Sequence, residues 1–425
     1  MVCVTSSSRV PTTSTRRWAC PRRNSARWVC RPATRPIAQR CATVDEDTDA
    51  QSRAGPLAGP ALRPRGPVPP RRAWLRSGLA VSLITYLTRI HFADRVLEDA
   101  LSAEMERHGL RHLLVISDRD AAHGDGLDRL HAALPCQTRT ASHFAGDIAP
   151  DLDLARALEL LEQEGCDGII GFGGLAALNL ARTAASDRVP VITIPTCTDT
   201  VGLGPIDPGL SARPGRKAAL PVAILCDATL TTSADPEATA AAGMDTLCQC
   251  LECFLGTAFN PPADGMALDG LRRAALSLET AVQDGRDLSA RRELLAAALN
   301  AGLASEKGHG GIAAAAHGLE AIARSRRGIL HGALLPEVLA FNAPAVHDRL
   351  GLVRMVLGLP ADADPGERLV ALAQRIGLPR RLSDIGIEEH MLSRAAQGAA
   401  ADPANRTNPR HATGRDYERI MRAVL

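Results

Sequence analysis

Between residues 93 and 228 short apolar runs alternate with helix-patterned stretches, and after Asp227 the runs stop. That switch constrains the fold more than any other feature of the chain. Leu113-Leu114-Val115-Ile116-Ser117, Gly168-Ile169-Ile170-Gly171-Phe172, Val191-Ile192-Thr193-Ile194 and Val222-Ala223-Ile224-Leu225-Cys226 are nearly continuous in apolar character. Strands of that kind are buried on both faces, which calls for a parallel sheet covered by helices. The stretches Ala93 to His108, Leu152 to Glu164 and the segment ending near Ala185 supply the helices. Residues 236 to 424 are rich in Ala, Leu, Arg and Glu at helical spacing, broken at Pro261-Pro262, Gly308, Gly328, Pro360, Pro379 and Pro403. The expectation is an α/β half, residues 81–228, followed by an all-helical half, residues 229–425. A cleft between them would take a small-molecule substrate at the carboxyl ends of the strands.

The first 80 residues are a different polymer. They hold 15 arginines against four acids, ten of the 28 prolines and all three tryptophans, with no useful period. Such a segment buries too little apolar surface to offset the entropy of ordering, so a disordered basic tail is expected. Other readings are an arm for anionic partners, a transit-like leader, or translation read from too far upstream. The body keeps 34 basic and 43 acidic residues, a mildly acidic balance that makes it a poor general binder of nucleic acid. No apolar run approaches the ~18 residues a spanning helix needs, so no membrane role is expected. The cysteines show no paired framework, and reduced thiols in a cytoplasmic protein are the expectation.

Two constellations could carry chemistry. Gly171-Phe172-Gly173-Gly174 ends a strand and opens a helix, the geometry in which backbone N–H groups and a helix N-terminus face an anion. A tight strand-to-helix turn is the plainer reading. Asp118, at the end of an earlier strand, could accept hydrogen bonds from an adenosine ribose, or could serve as an ordinary cap. In the second half Asp245 and Gln249 stand four apart and share a helix face. His317 lies in an apolar stretch, and His331 is read as opening a helix at Leu330-His331-Gly332. One carboxylate plus two imidazoles suits Fe2+ or Zn2+ with positions left open, although isolated histidines are more often satisfied core residues. Cys248, Cys250 and Cys253 read as small core residues. His309 is a lesser candidate as ligand or proton relay.

Over residues 85 to 425 the sequence resembles the iron-containing (group III) alcohol dehydrogenases. The segment Gly243-Met244-Asp245 through Glu252 is similar to that family's metal-binding helix. His317-Gly318-Leu319, the fourteen-residue step to His331-Gly332, and Leu335-Pro336 through Asn342 resemble its paired-histidine region. Pro195-Thr196-Cys197-Thr198-Asp199-Thr200, Leu220-Pro221 through Asp227, and Asn408-Pro409-Arg410 match further motifs in order. The resemblance implies a Rossmann-like N-terminal domain for a nicotinamide cofactor and a helical domain holding one divalent metal, Fe2+ or Zn2+. It implies interconversion of an alcohol with an aldehyde or ketone by hydride transfer, and a homo-oligomer. Carried over by position, Asp245, His317 and His331 match metal ligands. Gly173 and Gly174 match the pyrophosphate loop, Asp118 the ribose-facing acid, and Thr196 and Thr200 the loop beside the cofactor. Asp118 favours NAD(H) over NADP(H), because it would repel a 2′-phosphate.

The departures fall on the same positions. Gln249 stands where the family has a metal-binding histidine, and an amide is a much poorer ligand. Leu175 and Ala176 replace the third glycine and the serine of the loop, and Ala321 replaces a second histidine. Two alternatives follow: a degenerate relative that binds a metabolite or partner without catalysis, and a reductase of oxo acids similar to the maleylacetate reductases.

Overall fold

The computed structural model describes residues 88–122, 125–146, 149–199, 201–204, 218–323 and 325–425. The N-terminal tail of residues 1–80 and the site candidate Thr200 lie outside the described residues. All the described residues belong to one compact unit, Leu79–Leu425.

Six strands form one parallel sheet: β1 (Arg89–Phe92), β2 (His112–Ser117), β3 (Arg139–Phe144), β4 (Gly168–Gly173), β5 (Val191–Pro195) and β6 (Ala223–Cys226). Their order is β1-β6-β5-β4-β2-β3, and every pairing is parallel. The four apolar runs became β2, β4, β5 and β6, each buried along its whole length. The connecting helices are α1 (Val96–His108), α2 (Arg119–Ala122), α3 (Gly126–Ala133), α4 (Pro150–Gln163) and α5 (Leu175–Ala185).

Two strands escaped the sequence reading, and both lie at the sheet's edges. β3 reads Arg-Thr-Ala-Ser-His-Phe and is half exposed along its length, while β1 is buried at neither end. An edge strand is covered on one side only and carries no continuous apolar run.

The order places a topological switch between β2 and β4. From β2 the chain runs outward to β3, whereas from β4 it runs the other way to β5. At such a point the loops after two adjacent strands diverge and leave a crevice at their carboxyl ends.

No strand follows β6 among the described residues. The helical half contains α6 (Pro236–Leu255), α7 (Pro261–Gln283), α8 (Leu288–Ala304), α9 (Gly311–Glu320), α10 (Arg327–Asn342), α11 (His347–Val356), α12 (Pro365–Arg375), α13 (Glu389–Ala401) and α14 (Gly414–Ala423). The expected break at Pro261-Pro262 separates α6 from α7. Pro236 and Pro261 take first-turn positions where no N–H bond is lost, and Asp235 and Asn260 cap the N–H groups of Ala238 and Ala263. From Gly243 onward every residue of α6 is buried, so it is the central helix of this half and is apolar nearly all round. The charged and amide groups it does bury, Asp245, Gln249 and Glu252, each need a partner. No helix among the described residues is long and apolar enough to cross a membrane.

Candidate active site

The glycine turn sits at the switch point. Gly173 ends β4 with φ +147°, and Gly174 caps α5. A Cβ on Gly173 would lie 2.4 Å from Asp118 Oδ2, and one on Gly174 would lie 2.8 Å from Cys197 Sγ. Gly173 therefore requires glycine, and a side chain at Gly174 would have to displace the Cys197 thiol. Asp118 follows β2 directly and spans the crevice: Oδ1 accepts the Ala121 N–H at 2.8 Å and Oδ2 accepts the Gly174 N–H at 2.6 Å. Thr196, after β5, donates its N–H to the Gly173 carbonyl at 3.1 Å. The structure thus brings Asp118, Gly173, Gly174 and Thr196 together.

Asp199 joins them, a residue the sequence reading quoted without giving it a role. Its Oδ2 accepts the Leu175 N–H at 3.3 Å, and the Cys197 thiol donates to Oδ1 at 2.9 Å. Burial pushes the Asp199 carboxyl up to about 6; the thiol and the Leu175 N–H pull down while Asp245 and Asp118 add repulsion. The first N–H groups of α5, where an anion would bind, are held by two carboxylates.

Helix α6 presents Asp245 to the same space. The Thr246 hydroxyl donates to the Thr198 carbonyl and ties α6 to the loop after β5. A cleft of about 680 Å³ runs from Asp118, Gly174, Cys197 and Asp199 to Asp245 and Arg327. Gln249 shares the Asp245 face as its spacing predicts, and its Nε2 donates to Asp245 Oδ2 at 2.8 Å. His331 Nδ1 lies 2.9 Å from Asp245 Oδ1, off the line of a directed hydrogen bond. Burial pushes the Asp245 carboxyl up, but His331, Arg327 and the Gln249 amide together hold it below its ordinary value.

His317 does not join Asp245 and His331; its Nδ1 lies 2.9 Å from Asp402 Oδ2. His309 is buried, with Nε2 unpartnered; burial chiefly, with Arg327 nearby and Asp245 opposing, pushes it down to about 4, so it is neutral near pH 7. Among the described residues no group of three or more His, Cys, Asp or Glu side chains is placed to hold a metal ion. The unpartnered nitrogens of His331 and His309 and Asp245 Oδ1 do call for a partner, which water or a substrate oxygen can provide. As arranged, Asp245 and His331 lie in contact, Gln249 turns a donor N–H toward Asp245, and His317 keeps its Nε2 outside the Asp402 contact.

The helix expected to start at Leu330-His331-Gly332 begins earlier, at Arg327. Gly328 seats against α6 so closely that a Cβ would fall 1.7 Å from the Ala241 carbonyl oxygen. The first turn of α10, beginning at Arg327, packs there against α6, and Arg327 lies on the cleft wall. In the sequence Gly328 reads only as a break ahead of an apolar run.

The remaining motifs hold the site's frame. Glu252 on α6 caps α9 by accepting the N–H groups of Ile312 and Ala313. Asn408 Oδ1 accepts the Gly311 N–H at 2.8 Å, and Asn408 exchanges two amide hydrogen bonds with Asn342. Asn408→Ala orphans a buried N–H and a buried amide together, and should cost about 2–4 kcal/mol. Denaturant midpoints would check it; a loss under about 0.5 kcal/mol would show that water replaces the pair.

A parallel sheet with a glycine turn at its switch point, facing a helical half across one cleft, is the architecture of the dehydroquinate synthase-like and iron-containing alcohol dehydrogenase fold. The sequence profile of the Fe-containing alcohol dehydrogenase family, C-terminal, matches residues 239–425. A 4-hydroxybutyrate dehydrogenase of Cupriavidus necator is 32% identical, over 80% of this chain and 99% of the relative. A maleylacetate reductase of Cupriavidus pinatubonensis is 30% identical, over 77% of this chain and 92% of the relative. The solved sulfoacetaldehyde reductase from Bifidobacterium kashiwanohense, in complex with NAD+, shares the fold with a TM-score of 0.69 at 20% identity, over 80% of this chain and 98% of that one. The chain belongs to the iron-containing alcohol dehydrogenase family.

Proposed function

We propose that the protein is a nicotinamide-dependent oxidoreductase that interconverts an alcohol and its aldehyde or ketone by hydride transfer. Residues 81–228 would bind the cofactor, and residues 229–425 would provide the substrate wall. The observation that carries this reading is the cleft that runs from Gly174, at the end of the glycine turn, to Asp245. When bound, the nicotinamide supplies the chemistry: a hydride from its C4 to the carbonyl carbon, with a proton from solvent completing the alcohol. The chain's part is to seat the pyrophosphate at the N-terminus of α5, with Asp199 yielding the Leu175 N–H, and to aim the carbonyl across the cleft.

Within that reaction, an oxo acid is favoured over a simple aldehyde. Arg119, Arg326 and Arg327 all line the cleft, and guanidinium groups match carboxylates in a planar, two-point geometry. Two relatives are named for carboxylated compounds, 4-hydroxybutyrate and maleylacetate. Oxidation of NADH followed at 340 nm with 4-oxobutanoate, maleylacetate and butanal tests the reading. Turnover of either acid at least about 10-fold above butanal, by kcat/KM, is expected. NADH binding with none of the three turned over would support the non-catalytic alternative.

NADH should bind at least about 10-fold more tightly than NADPH, because Asp118 would face the 2′-phosphate at close range. Asp118→Ser should narrow that ratio to within about threefold. Tighter binding of NADPH by the wild type would overturn the assignment of Asp118.

A further inference from the structure

We propose that a cavity beside Arg182 is a second binding site, which takes a small organic monocarboxylate with an apolar chain. It lies where the sheet half meets α8. About 310 Å³ of space is bordered by Ile90, Leu203, Leu220 and Leu303 as apolar walls, with Arg182 among the lining residues. The cavity shares no lining residue with the cleft that runs from Asp118 to Asp245. Arg182 stands seven residues along α5 from Leu175, or about 10 Å from the end that faces the cleft.

Arg182 is what calls for an anion. It is only 4% exposed. Its Nε donates to the Ala219 carbonyl at 3.1 Å and its Nη1 to the Gly204 carbonyl at 3.0 Å. Among the described residues no carboxylate pairs with it and Nη2 has no hydrogen-bond partner, yet Nη2 is not sealed off from the cavity. Burial, unopposed by any acid, pushes the guanidinium down to about 10, so it stays charged at neutral pH. A buried cation ordinarily has an acid or a bound anion beside it, because neutral carbonyls return only part of the lost hydration. Glu306, the one acid among the lining residues, has a contact of its own and forms no ion pair with Arg182. The walls select the rest of the ligand. One guanidinium nitrogen can hold a carboxylate oxygen, whereas a phosphate dianion would set a second charge against apolar side chains. An alkyl chain gains by leaving water there. The volume is at the small end of ligand pockets, about 300–1,000 Å³, and suits a compact acid.

The test uses the full chain with hexanoate as the probe. Hexanoate should raise the melting temperature at pH 7 saturably, and hexan-1-ol, the same chain without the charge, should bind at least about 10-fold more weakly. Saturating NADH should leave hexanoate affinity within about twofold in calorimetric titration, because the two sites share no residue. Arg182→Met should weaken hexanoate at least about 10-fold. That change also releases the Gly204 and Ala219 carbonyls and can loosen the fold, so Leu220→Glu is the second variant. Leu220 is 48% exposed and tolerates a charge, which would repel the carboxylate. It should weaken hexanoate at least about 10-fold while the melting temperature without ligand stays near the wild type's. Absence of saturable protection by hexanoate would overturn the proposal and leave Arg182 as a clamp on two carbonyls. Equal binding of hexan-1-ol, undiminished binding in Leu220→Glu, or displacement of hexanoate by NADH would overturn it too. All of these readouts are made without turnover, so they stand or fall apart from the oxidoreductase reading.

Discussion

Gly173→Ala is expected to weaken NADH binding by at least about 100-fold, or roughly 2.7 kcal/mol, while the chain still folds. Two independent costs meet at this residue. Its φ of +147° is one that L side chains rarely adopt. The new methyl would also lie 2.4 Å from Asp118 Oδ2. A carboxylate oxygen at the end of a free side chain could move aside cheaply, but this carboxylate is fixed at both oxygens by the N–H groups of Ala121 and Gly174. Displacing it opens the crevice between β2 and β4 at the place where the cofactor's pyrophosphate and ribose would lie. Gly377→Ala is the control for strain alone, because Gly377 has φ +80° and nothing within 4 Å of a new Cβ. That change should lower stability and leave NADH affinity unaltered. Fluorescence titration of both variants decides the matter. A Gly173→Ala dissociation constant within threefold of the wild type would mean that the dinucleotide is not held at this turn.

The sequence disclosed what periodicity and chain order can disclose. β2, β4, β5 and β6 were legible because burial on both faces leaves no polar position in the run. β1 and β3 were not, because an edge strand looks like loop when its outward residues are Arg139, Thr140 and Ser142. Asp245 with Gln249 was legible from a step of one helical turn. The separation of His317 from that pair was not, since it depends on Asp402, 85 residues away, and no local pattern encodes such a contact. The start of α10 shows the same limit: Gly328 reads as a break in one dimension, and as a close seat against the Ala241 carbonyl in three. The resemblance to a family supplied the order of the motifs but not the charge on the cleft wall. That depends on the first residue of a helix whose start the sequence misplaced.

Asp199 leads to the second large effect, which is a gain. Its carboxyl is pushed up to about 6 from an ordinary 3.8, chiefly by burial. The native state therefore holds a proton between those values that the unfolded chain has released. Stability from this group is fully present below about pH 4 and is lost as pH rises through about 6. Asp199→Asn should remove that loss and raise stability at pH 8 by about 2 kcal/mol, with little change near pH 4. The same substitution should tighten NADH binding at pH 8 by about 10-fold. An ionised carboxylate at the N-terminus of α5 holds the Leu175 N–H at 3.3 Å and repels the pyrophosphate that would take its place. Wild-type affinity should correspondingly improve as pH falls from 8 toward 6, while the Asn variant's affinity stays level over that range. Thermal melts and NADH titrations at pH 6, 7 and 8 on both proteins separate the two effects. If Asp199→Asn weakens NADH binding at pH 8, the carboxylate is a partner of the cofactor, accepting from a ribose hydroxyl, and not its competitor at the helix end.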